Sequence, residues 1–264
     1  MIMSGLVTLT TDFGTKDPYA GIIRGMVYTT NLNAKIIDIT HDIPPHDVVS
    51  AAFTIVRAYE FFPTGTVHIA IVDPKVGSKR KNIAVKTDRY IFIGPDNGIF
   101  SLVLGDDDAI EIREIVNPTF LQDKISSTFH GRDIYAPCAG HLSAGRDFSE
   151  IGPVLNRLKK LVYPQPEQNG NILKGEIVSI DSFGNLISNI SIHAFNTFAG
   201  KRKIEVSFAA ERFRKIMDHY SQAQKGTPLV LFGASGYLEI SMNEGNAASY
   251  FMTSIGSTVT VRRS

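Results

Sequence analysis

Short apolar runs alternate with longer amphipathic segments over the first part of the chain. The short runs are rich in β-branched residues and predict strands at residues 6–10, 35–39 and 66–72. Between them, residues 18–30 and 47–61 carry apolar side chains at helical spacing, which predicts two helices. A βαβαβ order favours parallel strands with helices packed against them. The pattern therefore predicts an α/β domain with a largely parallel sheet and flanking helices.

Residues at the segment ends refine these predictions. Pro18 suits the first turn of a helix, with Asp17 before it as the N-cap, and Asp47 is placed to cap the second helix. The following segments predict a strand pair at residues 82–86 and 90–93 and a short helix at 99–104. A further strand is predicted at 110–116 and a last helix at 132–145.

The character of the sequence changes after residue 152. Residues 152–171 form a polar, basic stretch that is punctuated by prolines and reads as a linker. Six short strand-like segments follow, at residues 173–180, 186–190, 203–208, 227–232, 237–241 and 258–261. Such spacing favours a small β-barrel or sandwich. We expect an N-terminal domain over residues 1–158, a linker over 159–171 and a C-terminal β domain over 172–264.

Composition narrows the class of protein. The 264 residues are 43% hydrophobic and 20% charged, as in ordinary globular proteins, and the net charge of +1 argues against a nucleic-acid partner. The sequence has no apolar run of the roughly 20 residues that a membrane span needs and no signal-peptide pattern at its start, so we expect a cytoplasmic protein. Its single cysteine, Cys138, allows no intramolecular disulfide and is expected to be a buried, inert thiol.

The segment IVDPKVGSKR, residues 71–80, stands out chemically. Asp73 follows the third predicted strand directly, and Pro74 cannot continue a sheet ladder. The carboxylate is thus expected at the carboxyl end of a buried strand, where open α/β sheets usually bind ligands. Arg80 comes seven residues later, after a turn that Gly77 permits. This spacing allows the loop to bring the guanidinium back to the carboxylate.

Two chemistries fit the polar residues that follow the predicted strands. One is a metal-assisted hydrolase, whose hard ligands would be Asp12, Asp73, His130 and Asp133. The other is metal-free and uses Asp73, Arg80 and His130 to polarise a water molecule. A guanidinium would repel a nearby cation, and the sequence has no H-E-x-x-H spacing, so the balance favours the metal-free site. It also has no glycine-rich phosphate loop and no G-x-S-x-G motif.

Seven collinear segments together resemble the S-adenosylmethionine hydroxide adenosyltransferase family. They are LTTDFGTKDPYAG (9–21), IIDITHDIPPHDV (36–48), IVDPKVGSKR (71–80), GPDNG (94–98), TFHGRDIYAP (128–137), DSFGNLISNI (181–190) and SGYLEISMNEGNAA (235–248). Proteins of this family hydrolyse S-adenosylmethionine to adenosine and methionine. They are related to the bacterial 5′-fluoro- and 5′-chloro-5′-deoxyadenosine synthases.

The resemblance implies a fold, an assembly and a set of roles. The fold is an α/β domain followed by a β-barrel, and the assembly is a homotrimer that holds substrate between neighbouring subunits. No cofactor and no metal are implied. The activating triad corresponds to Asp73, Arg80 and His130. The substrate-binding positions are Asp12 for the ribose, Asp17 and Asp181 near the methionine amine, Phe183 and Asn185 near adenine, and the backbone from Met242 to Glu244 at the adenine edge.

Three positions bear on which reaction the resemblance implies. The halogenase relatives carry a tyrosine where Asp73 stands and a serine where Gly131 stands, so a buried carboxylate would here repel a halide. Lys75 replaces a more usual glycine. Ala234 and Ser235 replace a serine and an arginine that hold the methionine carboxylate, so we assign this contact to Ser235 with backbone N–H groups. A 5′-halogenase and a non-catalytic adenosine- or S-adenosylmethionine-binding module are the alternatives.

Overall fold

The computed structural model describes residues 2–104 and 111–264, which form two compact units, Met1–Val162 and Tyr163–Ser264. The strands of the first unit are β1 (Leu6–Thr11), β2 (Lys35–Thr40), β3 (Val67–Ile71), β4 (Asn82–Lys86), β5 (Ile91–Pro95) and β6 (Glu111–Glu114), and its helices are α1 (Tyr19–Thr30), α2 (Val48–Val56) and α3 (Ala136–Ser143). The second unit contains β7 (Glu167–Asn169), β8 (Ile172–Ile180), β9 (Leu186–Ser191), α4 (Ile192–Ala199), β10 (Ile204–Phe208), β11 (Glu211–Phe213), β12 (Pro228–Phe232), β13 (Tyr237–Met242), α5 (Ala247–Phe251) and β14 (Thr258–Arg263).

The first unit is built on a six-stranded mixed sheet in the order β2-β1-β3-β5-β4-β6. Its β2–β1, β1–β3 and β3–β5 pairs are parallel, whereas β4 runs antiparallel to both β5 and β6. The α/β class is confirmed, and four of the six strands, β2, β1, β3 and β5, are parallel to one another. The carboxyl ends of β1, β2 and β3 lie together and place Asp12, His41 and Asp73 at one end of the sheet.

Both faces of this sheet are covered, which explains the unbroken apolar runs. On β3, Ile69 and Ile71 belong to the core cluster that contains Ile23 and Val27 of α1. Ala70 and the following Val72 belong instead to the cluster that contains Ala51 and Ile55 of α2. Successive residues of a strand point to opposite faces, so a strand buried on both sides must be apolar throughout.

Several predicted element ends require correction. Helix α1 begins at Tyr19, with Pro18 at the N-cap and no side-chain capping bond, so the predicted cap by Asp17 is wrong. The predicted cap of α2 is confirmed, because Asp47 accepts a hydrogen bond from the Ser50 N–H, but this helix ends at Val56.

Residues 99–104 form turns instead of the predicted short helix. Four of them, Ile99, Phe100, Val103 and Leu104, are buried in the core beneath α2, so their apolar character reflects burial and not a helix face. Of the predicted strand at 110–116, residue 110 lies outside the described residues and β6 covers Glu111–Glu114.

The second unit is an antiparallel, nearly closed barrel-like sheet in the order β11-β10-β14-β8-β9-β13-β12, with β7 paired to β8. The nine-residue β8 bridges its two halves by pairing with β14 along one part and with β9 along the other. Helix α4 was not predicted from the sequence. Ser191 caps it by accepting a hydrogen bond from the Ala194 N–H, and Phe195 and Phe198 pack into the barrel core.

The stretch predicted as a linker, residues 159–171, is divided between the units. The Lys159 and Leu161 N–H groups donate to Asp96 and Ser101 of the first unit. Glu167–Asn169 form β7 of the second. We propose that the two units are the two domains of the chain. Across residues 2–104 and 111–264, none of the helices has the length and apolar character that crossing a bilayer requires.

A buried histidine makes the stability of the first unit sensitive to acid. His68 is 2% exposed and lies among Tyr59, Phe62, Tyr90 and Phe92. Its Nδ1 is 2.8 Å from the Thr8 hydroxyl, and burial lowers its pKa to about 3. Below about pH 6.5, His68 therefore binds a proton in the unfolded chain but stays neutral in the folded protein until the pH approaches 3.

We expect the free energy of unfolding to fall as the pH drops from about 6.5 toward 3, by roughly 4 kcal/mol from this group. Denaturant titrations at several pH values measure this slope. The His68→Phe variant, which cannot titrate, should show a shallower pH dependence whatever its absolute stability. An unchanged slope in this variant would contradict the assignment.

Candidate active site

The loop after β3 brings Arg80 back onto Asp73. Arg80 Nε donates to Asp73 Oδ1 at 2.8 Å, and Arg80 Nη2 donates to Asp73 Oδ2. The two side chains are only 7% and 5% exposed. The loop is closed by hydrogen bonds from the Val76 N–H to the Asp73 carbonyl and from the Ser78 N–H to the Lys75 carbonyl. The result is a buried, bidentate ion pair held by a short local loop.

The imidazole of His130 completes this group, although it is distant in the sequence. Arg80 Nη2 lies 2.9 Å from His130 Nδ1. Residues Gly131–Tyr135 form a π-helical turn that leads into α3, an irregularity that is frequent at functional sites. Burial, and next the Arg80 charge, lower the pKa of His130. The ring is therefore neutral at neutral pH.

Asp73 and His130 border a cavity of about 270 Å³ in the first unit. Its lining comprises Asp12, Phe13, Tyr19, Pro45, His46, Ile71, Asp73, Val76, Thr128, Phe129, His130 and Gly131. Phe13, Tyr19 and Phe129 contact one another edge to face or tilted, with ring centroids 5.3–5.9 Å apart. The cavity thus combines an aromatic wall with a small number of polar groups, as small-molecule sites usually do.

Asp12 and Asp17 lie differently with respect to this cavity. The Asp12 carboxylate lines it and accepts a hydrogen bond from the His46 N–H at 2.9 Å, which leaves further lone pairs for a ligand. Asp17 is exposed in the loop before α1 and is not among the lining residues.

Gly131 lines the cavity, is buried and has no room for a side chain. A Cβ at this position would lie 2.9 Å from the Ile23 Cδ1 atom and 3.1 Å from the Ile71 Cδ1 atom. Any larger residue would need both side chains to shift. The glycine therefore keeps the wall beside His130 free of a side-chain donor.

All but one of the residues predicted in the second unit line a second cavity, of about 760 Å³. It is lined by Asp181, Phe183, Asn185, Tyr220, Met242, Glu244, Gly245 and Asn246. Phe183 is 75% exposed, so its ring is available to a planar ligand. Ser235 lies in the turn between β12 and β13 and does not line this cavity.

The Asp181 carboxylate organises the turn that presents these groups. It accepts hydrogen bonds from the N–H groups of Phe183 and Asn185 at 3.0 and 2.9 Å, and from Asn185 Nδ2 at 2.9 Å. Gly184, at φ +83°, packs its Cα against the Asn246 side chain, where no Cβ would fit. The DSFGN motif is thus an ordered turn and not a loose loop.

The four ligands proposed for a metal centre have other partners. Arg80 donates to both oxygens of Asp73, and the Asp133 carboxylate accepts from Arg132 Nε and the Ser126 N–H. In the part of the chain that the structure describes, His, Cys, Asp and Glu side chains form no group of three or more arranged to hold a metal ion.

Sequence reasoning missed two residues behind the triad. Asn82 opens β4, and its Oδ1 accepts hydrogen bonds from Arg80 Nη1 and, at 2.7 Å, from the Tyr135 hydroxyl. The only local signal was a polar residue at the start of an apolar strand. Its partner Tyr135 is 53 positions away, so the sequence does not indicate their contact.

Comparisons with known proteins identify the family of this chain. Family models for the SAM hydroxide adenosyltransferase N-terminal and C-terminal domains match residues 7–152 and 175–260. The chain is 33% identical over 253 residues to an (R)-S-adenosyl-L-methionine hydrolase from Methanocaldococcus jannaschii, covering 92% of this chain and 90% of that protein. A fluorinase from an Actinoplanes species is 26% identical, with 98% and 97% covered.

A solved structure is similar over nearly the whole chain. An uncharacterized conserved protein from Thermotoga maritima superposes with a TM-score of 0.90 at 33% identity, covering 98% of this chain and 100% of that one. The two family models together match most of this chain, in the order in which its two units occur. The chain therefore belongs to the S-adenosylmethionine hydroxide adenosyltransferase family.

Proposed function

We propose that this protein hydrolyses S-adenosyl-L-methionine to adenosine and L-methionine. The observation that carries the proposal is the contact of Asp73, Arg80 and His130 at the edge of the aromatic-walled cavity. Membership of the adenosyltransferase family, and relatives named as (R)-S-adenosyl-L-methionine hydrolases, support the choice of substrate.

The proposed reaction is an in-line displacement at C5′ of the sulfonium. The water oxygen forms a bond to C5′ while the C5′–S bond breaks, and the electron pair of that bond stays on sulfur. The sulfonium leaves as a neutral thioether, so the leaving group needs no general acid. The water loses one proton, so the products are adenosine, methionine and one proton.

The site supplies alignment and a place for that proton. A nucleophile held in line with C5′ avoids most of the entropic cost of the encounter, which can contribute roughly 7–11 kcal/mol. The buried Asp73 carboxylate can accept the proton, and the Arg80 guanidinium holds this carboxylate in place. No step requires a metal or another cofactor.

The substrate-binding roles follow from the resemblance and from the positions described above. We assign the ribose hydroxyls to Asp12, adenine to Phe183, Asn185 and the backbone from Met242 to Glu244, and the methionine end to Asp17, Asp181 and Ser235. Asp12 lines the first cavity, and Asp181, Phe183, Asn185, Met242 and Glu244 line the second. We also propose that the protein is cytoplasmic and forms a homotrimer. Light scattering after gel filtration tests the oligomeric state.

Incubation with S-adenosylmethionine and chromatographic analysis of the products test the function. We expect equal release of adenosine and methionine, and the same rate after dialysis against EDTA, because the proposed base and its partner are protein side chains. Loss of turnover in EDTA, with recovery on adding back a divalent metal, would contradict the metal-free mechanism.

The alternative functions give different products. In excess chloride the hydrolase should still form adenosine, because a carboxylate at Asp73 repels a halide. Halide-dependent 5′-chloro-5′-deoxyadenosine would point to a halogenase, a reading to which the fluorinase relatives give some weight. Tight binding without methionine release over hours would point to a binding module.

A further inference from the structure

The hydrogen-bonding atoms around Asn82 determine how the amide is oriented. Arg80 Nη1 can only donate, so the Asn82 atom beside it is the oxygen and not the amide nitrogen. An amide oxygen can only accept, so the Tyr135 hydroxyl, 2.7 Å from it, is the donor. Tyr135 is fully buried, so its hydroxyl holds the amide from within the core.

The same reasoning determines the proton position on His130. Its Nδ1 lies 2.9 Å from Arg80 Nη2 and 3.3 Å from Asn82 Oδ1. The guanidinium keeps all its protons at any ordinary pH, so Nη2 donates and Nδ1 must present its lone pair. A proton on Nδ1 would face the Arg80 proton at the shorter of the two distances. The neutral ring therefore carries its proton on Nε2.

We propose that Asn82, held by Tyr135, is a positioning residue that orients Arg80 and fixes His130 as the neutral Nε2–H tautomer, which leaves Asp73 to accept the proton of the nucleophilic water. The only lone pair of this ring is occupied by Arg80, so His130 cannot serve as the base. Its Nε2–H donates instead and orients the water oxygen or stabilises developing hydroxide.

The assignment of Asp73 as base rests on the proposed function, whereas the tautomer does not, so the test treats them separately. Two-bond ¹H–¹⁵N correlation spectra of protein labelled with ¹⁵N-histidine distinguish the two neutral tautomers and the charged ring. The His130 signals are assigned by their loss in His130→Asn. We expect the Nε2–H pattern at neutral pH in the wild type and mixed tautomers in Asn82→Leu.

An Nδ1–H pattern, or a charged ring at neutral pH, would overturn the tautomer even if the hydrolase activity is found. The Nε2–H pattern in a protein that releases no methionine would support the tautomer while the proposed function fails. The two failures are therefore distinguishable.

Kinetics test the positioning role. Asn82→Leu and Tyr135→Phe should lower kcat, by up to about 100-fold for Asn82→Leu, with little change in KM, because the triad loses its alignment but the cavity lining is unchanged. Tyr90→Phe is the matched control, since it removes another buried hydroxyl, one that donates to the Phe62 carbonyl away from the cavity. Unchanged kcat in both site variants, with folding verified by thermal melting, would overturn the role.

Discussion

Asp73→Asn is expected to lower kcat by about 10²–10⁴-fold while adenosine still binds. The amide keeps the shape of the side chain and one acceptor for Arg80, but it cannot take a proton from water. The Asp73 side chain is 5% exposed and lines the cavity, so bulk solvent cannot substitute for it. Steady-state product release measures the rate, and calorimetric titration with adenosine measures binding.

Asp88→Asn is the matched control for this prediction. Asp88 is exposed in the turn between β4 and β5, so the same change of chemistry there should leave kcat unaltered. A decrease of less than tenfold in Asp73→Asn would show that the proton goes elsewhere.

Gly77→Ala is expected to give the second large effect, on both activity and stability. Gly77 has φ +76°, and a Cβ there would overlap the Ser127 carbonyl oxygen. The loop that carries Asp73 and Arg80 would have to move away from the segment that leads to His130. We expect kcat to fall by about 100-fold from misalignment, with a loss of about 1–3 kcal/mol in the free energy of unfolding.

Gly145→Ala separates the two contributions to that loss. Gly145 has φ +92°, but a Cβ there meets nothing within 4 Å. This variant is therefore destabilised by the left-handed backbone conformation alone, without a steric overlap. It should lose some stability and keep its kcat. If Gly77→Ala behaves like Gly145→Ala in both measurements, the contact with Ser127 does not hold the loop.

Local patterns predicted the parts of the molecule that depend on local forces. The β-branched run before Asp73 predicted β3, and the seven-residue spacing from Asp73 to Arg80 allowed the loop that the structure contains. The capping preference of Asp47 was also correct. Each of these features is decided by backbone conformation and by neighbours within a few residues.

Where the pattern misled, packing overrode it. Residues 99–104 are apolar because the core surrounds them, and a helical spacing arises there without a helix. The helix predicted from residue 132 begins instead as a π-helical turn at Gly131, where both the Arg132 and Asp133 N–H groups donate to the Phe129 carbonyl. Intrinsic helix propensity is too small to determine the conformation of such short segments against tertiary packing.

By itself, the sequence determined the combination of an α/β part with a β-barrel part and, through seven collinear segments, the family. Its spacing from Asp73 to Arg80 allowed the ion-pair loop after β3 without requiring it. Only the tertiary structure decided which nitrogen of His130 faces Arg80, and that Asn82 and Tyr135 stand behind them. The reason is that these residues are 48 to 53 positions apart in the sequence. Their contacts depend on which strands pair and on how the turn before α3 packs against the sheet. The position of the His130 proton then depends on a difference of a few tenths of an ångström between two hydrogen-bond distances. The spacing of residues along the chain does not predict such a difference.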